Sequence, residues 1–273
     1  MTRCFIKRHC SCNVQPVNLF IAGQAVRTSK KTNIRLYIES IVPDLPTIVS
    51  FTQAHYLLHV MRLKPGDRLR IFNCSVGEFD ARLEQRKHDV LVIPLACVRA
   101  PEPRDPPTWL AFSPIKPHLT HFVVEKATEL GISDIQPILF DLTQCREVNV
   151  SKLQAIAIEA SEQCERLTVP HIHTSQKLAS FLENLPTVRW FAAVERCGDA
   201  PTLQSTNEAV GVLIGPEGGF SAREKSSISS CMQVVSLGAN VLRSETAAIC
   251  ALSRLRNAIN HPHLSDPFAP QVE

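Results

Sequence analysis

The segment Val210-Gly211-Val212-Leu213-Ile214-Gly215-Pro216-Glu217-Gly218-Gly219-Phe220-Ser221 decides the fold. Its apolar start reads as a buried strand. A loop with three glycines follows. Ser221, with Glu224 three residues on, opens a helix through a capping-box pattern. In open α/β sheets ligands bind beyond the carboxyl ends of strands, and glycines let backbone groups approach a ligand closely. By themselves these glycines fit a tight strand-to-helix turn equally well. The spacing excludes two common loops, since neither Gly-Lys-Ser/Thr nor Gly-x-Gly-x-x-Gly is present. Glu217 also disfavours a polyphosphate and tolerates a cation.

A second segment has the same layout. In Ser236-Leu237-Gly238-Ala239-Asn240-Val241-Leu242-Arg243-Ser244-Glu245-Thr246-Ala247-Ala248 a short strand ends in a glycine. An apolar pair and a polar helix start follow. Two glycine loops in one sheet can close around one ligand.

Outward from these loops, strands and helices alternate. Leu110–Ile115, Ile135–Phe140, Trp190–Val194 and Val234–Leu237 read as strands. Leu119–Leu130 (with Gly131 as its cap), Ser151–Leu167 (with Ser151 as N-cap), Phe181–Leu185 as a helix end and Glu245–Ile259 read as helices. Such alternation predicts an α/β fold, a mostly parallel sheet with helices on both faces. Upstream, Ile34–Ile38, Leu69–Phe72, Glu78–Leu83 and Val90–Leu95 are short strands between turn signals, with a helix over Gln53–Arg62. This pattern predicts a small β-barrel. The Pro-rich run Ala100-Pro101-Glu102-Pro103-Arg104-Asp105-Pro106-Pro107 separates the two parts. The expected organisation is a barrel over 33–99, a linker over 100–108, an α/β domain over 109–260 and a disordered tail over 261–273.

Residues 1–32 carry six Lys/Arg and no acid, which leaves the remaining chain with 23 basic and 26 acidic side chains. This basic extension resembles a targeting-like or disordered tail, or a reading frame extended upstream of the true start; the extended frame is the expectation. The bulk charge therefore gives no support to nucleic-acid binding, and any such site must rest on local patches. The cysteines are scattered, with no CxxC pair and no secretory signal. Reduced thiols in a cytoplasmic protein are expected, without a zinc site. His55 and His59 stand four residues apart but lack the glutamate of a metalloprotease helix. No apolar run approaches the ~20 residues of a membrane helix.

The strings Ile-Gly-Pro-Glu-Gly-Gly-Phe-Ser, Ser-Leu-Gly and Leu-Arg-x-Glu-Thr-Ala, in this order, resemble the SPOUT superfamily of methyltransferases. Within it they resemble the RsmE-type family, which methylates N3 of a uridine in 16S ribosomal RNA. His55-Tyr56-Leu57, Arg62-Leu63-Lys64-Pro65-Gly66-Asp67 and Phe72-Asn73 are similar to the family's amino-terminal barrel. Glu125–Gly131 and Ile158–Arg166 are similar to its catalytic domain. The similarity runs from about Ile34 to Asn260. It implies a deep trefoil knot, an exception to the rule against knots. It also implies a PUA-like RNA-binding barrel, a homodimer and S-adenosylmethionine (SAM) held in the knot.

By that resemblance Val194, Glu195, Ile214, Gly215, Gly218, Gly219, Ser236, Leu237, Gly238, Val241 and Leu242 line the cofactor. Glu195 would hold the ribose hydroxyls. Uracil N3 is protonated at neutral pH, so transfer needs a base, alignment and stabilisation of charge on the carbonyl oxygens. Arg243 is the candidate for holding the uracil or a phosphate, with an ion pair to Glu245 as its plain structural alternative. Glu217 or Glu245 is the candidate base, which would need a pKa raised by burial. Arg35, Arg62, Lys64, Arg68 and Arg70 form the barrel's basic set, to position phosphates. Lys116, Arg146 and Arg166 are further candidates for RNA or partner-subunit contact. After Lys116, the run Pro117-His118-Leu119-Thr120 departs from the family's Gly-rich pattern. Two other readings stay open: a SPOUT enzyme acting on another base or a ribose 2′-hydroxyl, and a non-catalytic RNA-binding assembly factor.

Overall fold

The computed structural model describes residues 31–103, 105–195, 200–203 and 208–256. The expectations for most of the basic extension and for the tail from 261 fall outside the described residues.

The amino-terminal unit is a five-stranded sheet in the order β1-β3-β4-β5-β2. Its strands are β1 (Lys31–Tyr37), β2 (Thr47–Ile48), β3 (Arg68–Asn73), β4 (Gly77–Arg86) and β5 (Asp89–Arg99). β1 begins two residues before Asn33, where the barrel was expected to start. In β4, Phe79, Ala81 and Leu83 alternate inward, the period of a half-buried strand. They pack with Leu36, Leu57, Leu69, Ile71 and Val92. Pro94 lies in β5 opposite Ala81, beside a register shift, where a missing ladder donor is tolerated.

The expected helix over Gln53–Arg62 is displaced. It starts at Phe51 as α1 (Phe51–His55) and continues as a π-turn over Tyr56–Val60. Ser50 and Gln53 form a capping box, which sets the earlier start. Arg62 has φ +55, and this left-handed residue lies just beyond the end of the π-turn.

The carboxyl-terminal unit is a wholly parallel sheet in the order β12-β10-β11-β6-β7-β8, with β9 also paired to β7. Its principal strands are β6 (Thr108–Phe112), β7 (Asp134–Leu139), β10 (Arg189–Ala193), β11 (Val210–Ile214) and β12 (Gln233–Val235), with two-residue β8 (His171–Ile172) and β9 (Gln176–Lys177). Leu110, Phe112, Val212 and Ile214 face one core with residues of α2 (Pro117–Glu129), α3 (Val150–Gln163) and α6 (Ser244–Arg256). Ala111 and Leu213 face the other core, with α4 (Leu178–Glu183) and α5 (Ala222–Ser229). Two-residue alternation thus buries both faces, which explains why β11 is apolar throughout. Gly131 follows α2 at φ +85, and the Ser221–Glu224 capping box opens α5. The N-cap of α3 is Asn149, two residues before the expected Ser151: its side chain accepts from Lys152 N–H at 2.9 Å.

Candidate active site

Parallel register brings the two glycine loops together. Ala193 ends β10 beside Ile214, the end of β11, and beside Val235, the end of β12. Three neighbouring strands therefore stop at one level, and their loops emerge side by side. The loops enclose a cleft of about 770 Å³, within the size range of small-molecule sites. All eleven residues named for the cofactor line it: Val194 and Glu195 after β10, Ile214, Gly215, Gly218 and Gly219 after β11, and Ser236, Leu237, Gly238, Val241 and Leu242 after β12.

Gly219 has φ +74 and Gly238 φ +129, and a Cβ at either would meet no atom within 4 Å. These backbone positions face open space and take a conformation that disfavours L side chains. Leu237 and Leu242 are half-buried, and Val241 is 55% exposed at the cleft. The lining thus combines free backbone, an apolar patch and the carboxylate of Glu195. It suits a flat heterocycle with a hydroxylated ring better than a phosphate chain.

The three catalytic candidates separate. Glu217 lines the cleft and is exposed, so the burial its role as base would need is absent in this structure. Glu245 is buried at the start of α6, does not line the cleft, and its Oε2 has no hydrogen-bond partner among the described residues. Arg243 lies between the lining residues Leu242 and Ser244, with an exposed side chain that forms no ion pair with Glu245.

The basic set also divides. Arg62, Lys64, Lys116 and Arg146 are exposed. Arg146 donates to the Asp141 carbonyl at 3.4 Å. Lys116, at the start of α2, shares a narrow crevice with Leu142, Gln144, Pro216 and Glu217 at the side of the glycine loop. Arg35 is a correction. All five of its N–H donors are engaged: two with Glu78, and the others with the Ser161, Glu162 and Arg166 carbonyls. It joins the two units and has no donor left for a phosphate. Arg70 is tied to Glu78 at 3.5 Å and Asp80 at 3.3 Å. Arg166 donates to the carbonyls of Thr128 at 2.6 Å and Ile132 at 2.9 Å, so it braces the end of α2.

Sequence reasoning missed Thr202, Lys225, Asn240 and Ser244, which also line the cleft. Ser244 carried a legible signal, since it precedes the last helix. Its hydroxyl donates to the Gly215 carbonyl at 2.8 Å and ties that helix to the first glycine loop. The other three depend on which loops become neighbours. Among the described residues, no group of three or more His, Cys, Asp or Glu could hold a metal. The His55 and His59 rings lie against each other, 4.9 Å between centroids. No helix among the described residues is long and apolar enough to cross a membrane.

Comparison with known proteins matches this geometry to a family. An RNA methyltransferase domain is matched over residues 102–256, and an RNA methyltransferase PUA domain over residues 52–95. The chain is 33% identical over 236 residues to ribosomal RNA small subunit methyltransferase E of Rickettsia conorii, covering 83% of this chain and 96% of that protein. The chain belongs to the ribosomal RNA small subunit methyltransferase E family. The methyltransferase E of Synechocystis is 31% identical, over 80% of this chain and 74% of its own. A methyltransferase structure from Legionella pneumophila, solved with bound SAM, superposes with a TM-score of 0.73 at 28% identity, covering 83% of this chain and 98% of that one. The methyltransferase E fold is thus an α/β SPOUT domain preceded by a PUA-like domain, as the sequence motifs implied.

Proposed function

We propose that this protein transfers a methyl group from SAM to N3 of a uridine in 16S ribosomal RNA of the small subunit. One observation carries the reading: both glycine loops, and every residue expected at the cofactor, converge on a single cleft at the strand ends. The family of the chain and the SAM-bound Legionella structure support it.

The residues fit the cofactor. Leu237, Val241 and Leu242 offer an apolar surface for adenine, Glu195 an acceptor for ribose hydroxyls, and Gly219 and Gly238 open backbone. When bound, SAM supplies a methyl group already activated by its sulfonium. The protein must then align the uracil, remove the N3 proton and stabilise the charge left on the carbonyl oxygens. Glu217, exposed at the cleft, would accept the N3 proton once bound cofactor and uracil cover its carboxylate. Arg243 offers a planar fork to the uracil oxygens. Arg62 and Lys64 on the barrel, with Lys116 and Arg146, hold RNA phosphates. The target uridine must be unpaired or flipped to reach the cleft.

The same reading includes a cytoplasmic homodimer, a knotted path through Val210–Arg256, a barrel over 33–99 that holds RNA and an α/β domain over 109–260 that performs the transfer. Nucleoside mass spectrometry of 16S RNA from a strain lacking the gene tests the reaction. Loss of 3-methyluridine, restored by the wild-type gene, is expected. Its persistence would remove the uracil-N3 assignment, and loss of another methylated nucleoside would redirect it to that target.

A further inference from the structure

Helix α6 touches both glycine loops. At its first turn the Ser244 hydroxyl donates to the Gly215 carbonyl at 2.8 Å. Ten residues on, about 15 Å along the axis at 1.5 Å per residue, Arg254 reaches the other loop. Its Nη2 donates to the Leu237 carbonyl at 2.9 Å and its Nη1 to the Ser236 carbonyl at 3.4 Å. Between these points Ala248, Ala251 and Leu252 are buried in the core, so the helix is a fixed support.

The two bonds orient the loop. In a trans peptide the C=O and the following N–H point in opposite directions. Tying the Ser236 carbonyl to Arg254 turns the Leu237 N–H away from α6, and no described residue accepts from it. Tying the Leu237 carbonyl likewise fixes the Gly238 N–H, which the Ser236 hydroxyl accepts at 3.2 Å. Leu237 and Gly238 both line the cleft. The result is one oriented backbone donor, without an acceptor among the described residues, beside an apolar patch, an arrangement that suits a ring nitrogen of a purine. Without the tie, this loop, with Gly238 at φ +129, would have to order at the moment of binding, which weakens affinity.

We propose that Arg254 is a positioning residue for the cofactor: its guanidinium holds the Ser236–Gly238 backbone in the form that receives the adenine of SAM. This rests on the SAM reading of the cleft. It assigns Arg254 no contact with the substrate, so its effect falls on cofactor affinity and not on the transfer step.

The test compares the full-length protein with R254A and R254K. Calorimetry with SAM should show affinity reduced about tenfold or more in R254A, the scale for losing a charge-assisted hydrogen bond. R254K should recover part of it, because one ammonium replaces the fork incompletely. KM for SAM should rise while kcat at saturating SAM stays within about twofold. Hydrogen exchange without cofactor supplies an independent readout: the Gly238 amide, bonded to the Ser236 hydroxyl, should exchange faster in R254A while the amides of Ala248–Leu252 keep their protection. SAM affinity within about twofold of wild type in R254A would overturn the proposal. So would equal loss of protection in α6 and the loop, which marks a merely structural arginine. If R254A does not fold, R254K decides by the same two measurements. Wild-type protein with no SAM affinity would overturn the functional reading and this inference with it; wild-type binding with unaltered R254A affinity overturns this inference alone.

Discussion

Arg35 and Glu78 form a buried two-point pair, Nε to Oε1 at 3.1 Å and Nη2 to Oε2 at 3.3 Å, and the guanidinium also lies 4.1 Å from the centroid of the Phe72 ring. The pair belongs to the amino-terminal sheet, but the remaining donors reach the carbonyls of Ser161 and Glu162 in the last turn of α3 and of Arg166 beyond it. Helix ends leave such carbonyls without partners. One side chain thus satisfies a helix end in one unit while neutralising an acid in the other.

Replacing Arg35 by methionine should therefore destabilise the protein strongly. Glu78, 3% exposed, would keep only the long contact to Arg70. Removing one partner of a buried pair costs about 3–5 kcal/mol. Urea unfolding followed by circular dichroism measures this. A loss below about 1 kcal/mol would place the pair in the class of exposed ion pairs and contradict its role as a joint.

Glu162 sits at the same joint, accepting the Tyr37 N–H at 2.9 Å. Burial pushes its carboxyl up to about 7 and Glu159 adds to the rise, while the Tyr37 bond and Arg35 oppose it. The folded protein therefore holds this proton more tightly than the unfolded chain, whose ordinary value is 4.5. The contribution to stability is fully present below about pH 4.5 and is lost as pH rises through about 7. The difference corresponds to about 3 kcal/mol. Unfolding free energies measured between about pH 5 and pH 8 should fall with pH in the wild type and much less in E162Q. Parallel curves for the two proteins would refute this.

Arg243→Ala should abolish transfer with little loss of stability. The side chain is exposed and forms no ion pair with a described residue, and such surface changes stay within about 0.5 kcal/mol. Loss of a group that stabilises developing charge lowers kcat by about 10²–10³. Normal turnover with SAM and 30S subunits would exclude Arg243 from the reaction.

Gly238→Ala separates backbone conformation from space. A Cβ there meets nothing within 4 Å, yet φ is +129. The strain, about 1–3 kcal/mol, falls on the loop rather than on the core. SAM affinity should drop about tenfold or more while the melting temperature changes little. Unchanged affinity would show that the loop conformation is immaterial to the cofactor.

Much of this was legible in the sequence. The alternation of apolar strands and capped helices gave the parallel sheet, because burial on both faces demands continuous apolar strands. The short alternating strands before the Pro-rich run gave the first sheet. The glycine loops carried the family resemblance, and that resemblance named the residues expected at the cofactor. Other side chains are engaged by groups that no local pattern points to. Arg35, Arg70 and Arg166 look like surface cations in one dimension, and only folding reveals the carboxylates and carbonyls that engage them.

The sequence by itself determined the class of fold, the two glycine loops and the family, because these depend on local periodicity and on residue types that few backbones require. Tertiary structure alone decided which loops meet: the register that levels Ala193, Ile214 and Val235 is a property of hydrogen-bonded neighbours, not of any segment. It also decided which charges face solvent. Arg243 was left exposed at the cleft, while Arg35 was drawn into a joint and Arg254 onto the carbonyls of a loop. The physical reason is the same in each case: a buried carbonyl or carboxylate needs a donor, and the fold selects which arginine lies within reach.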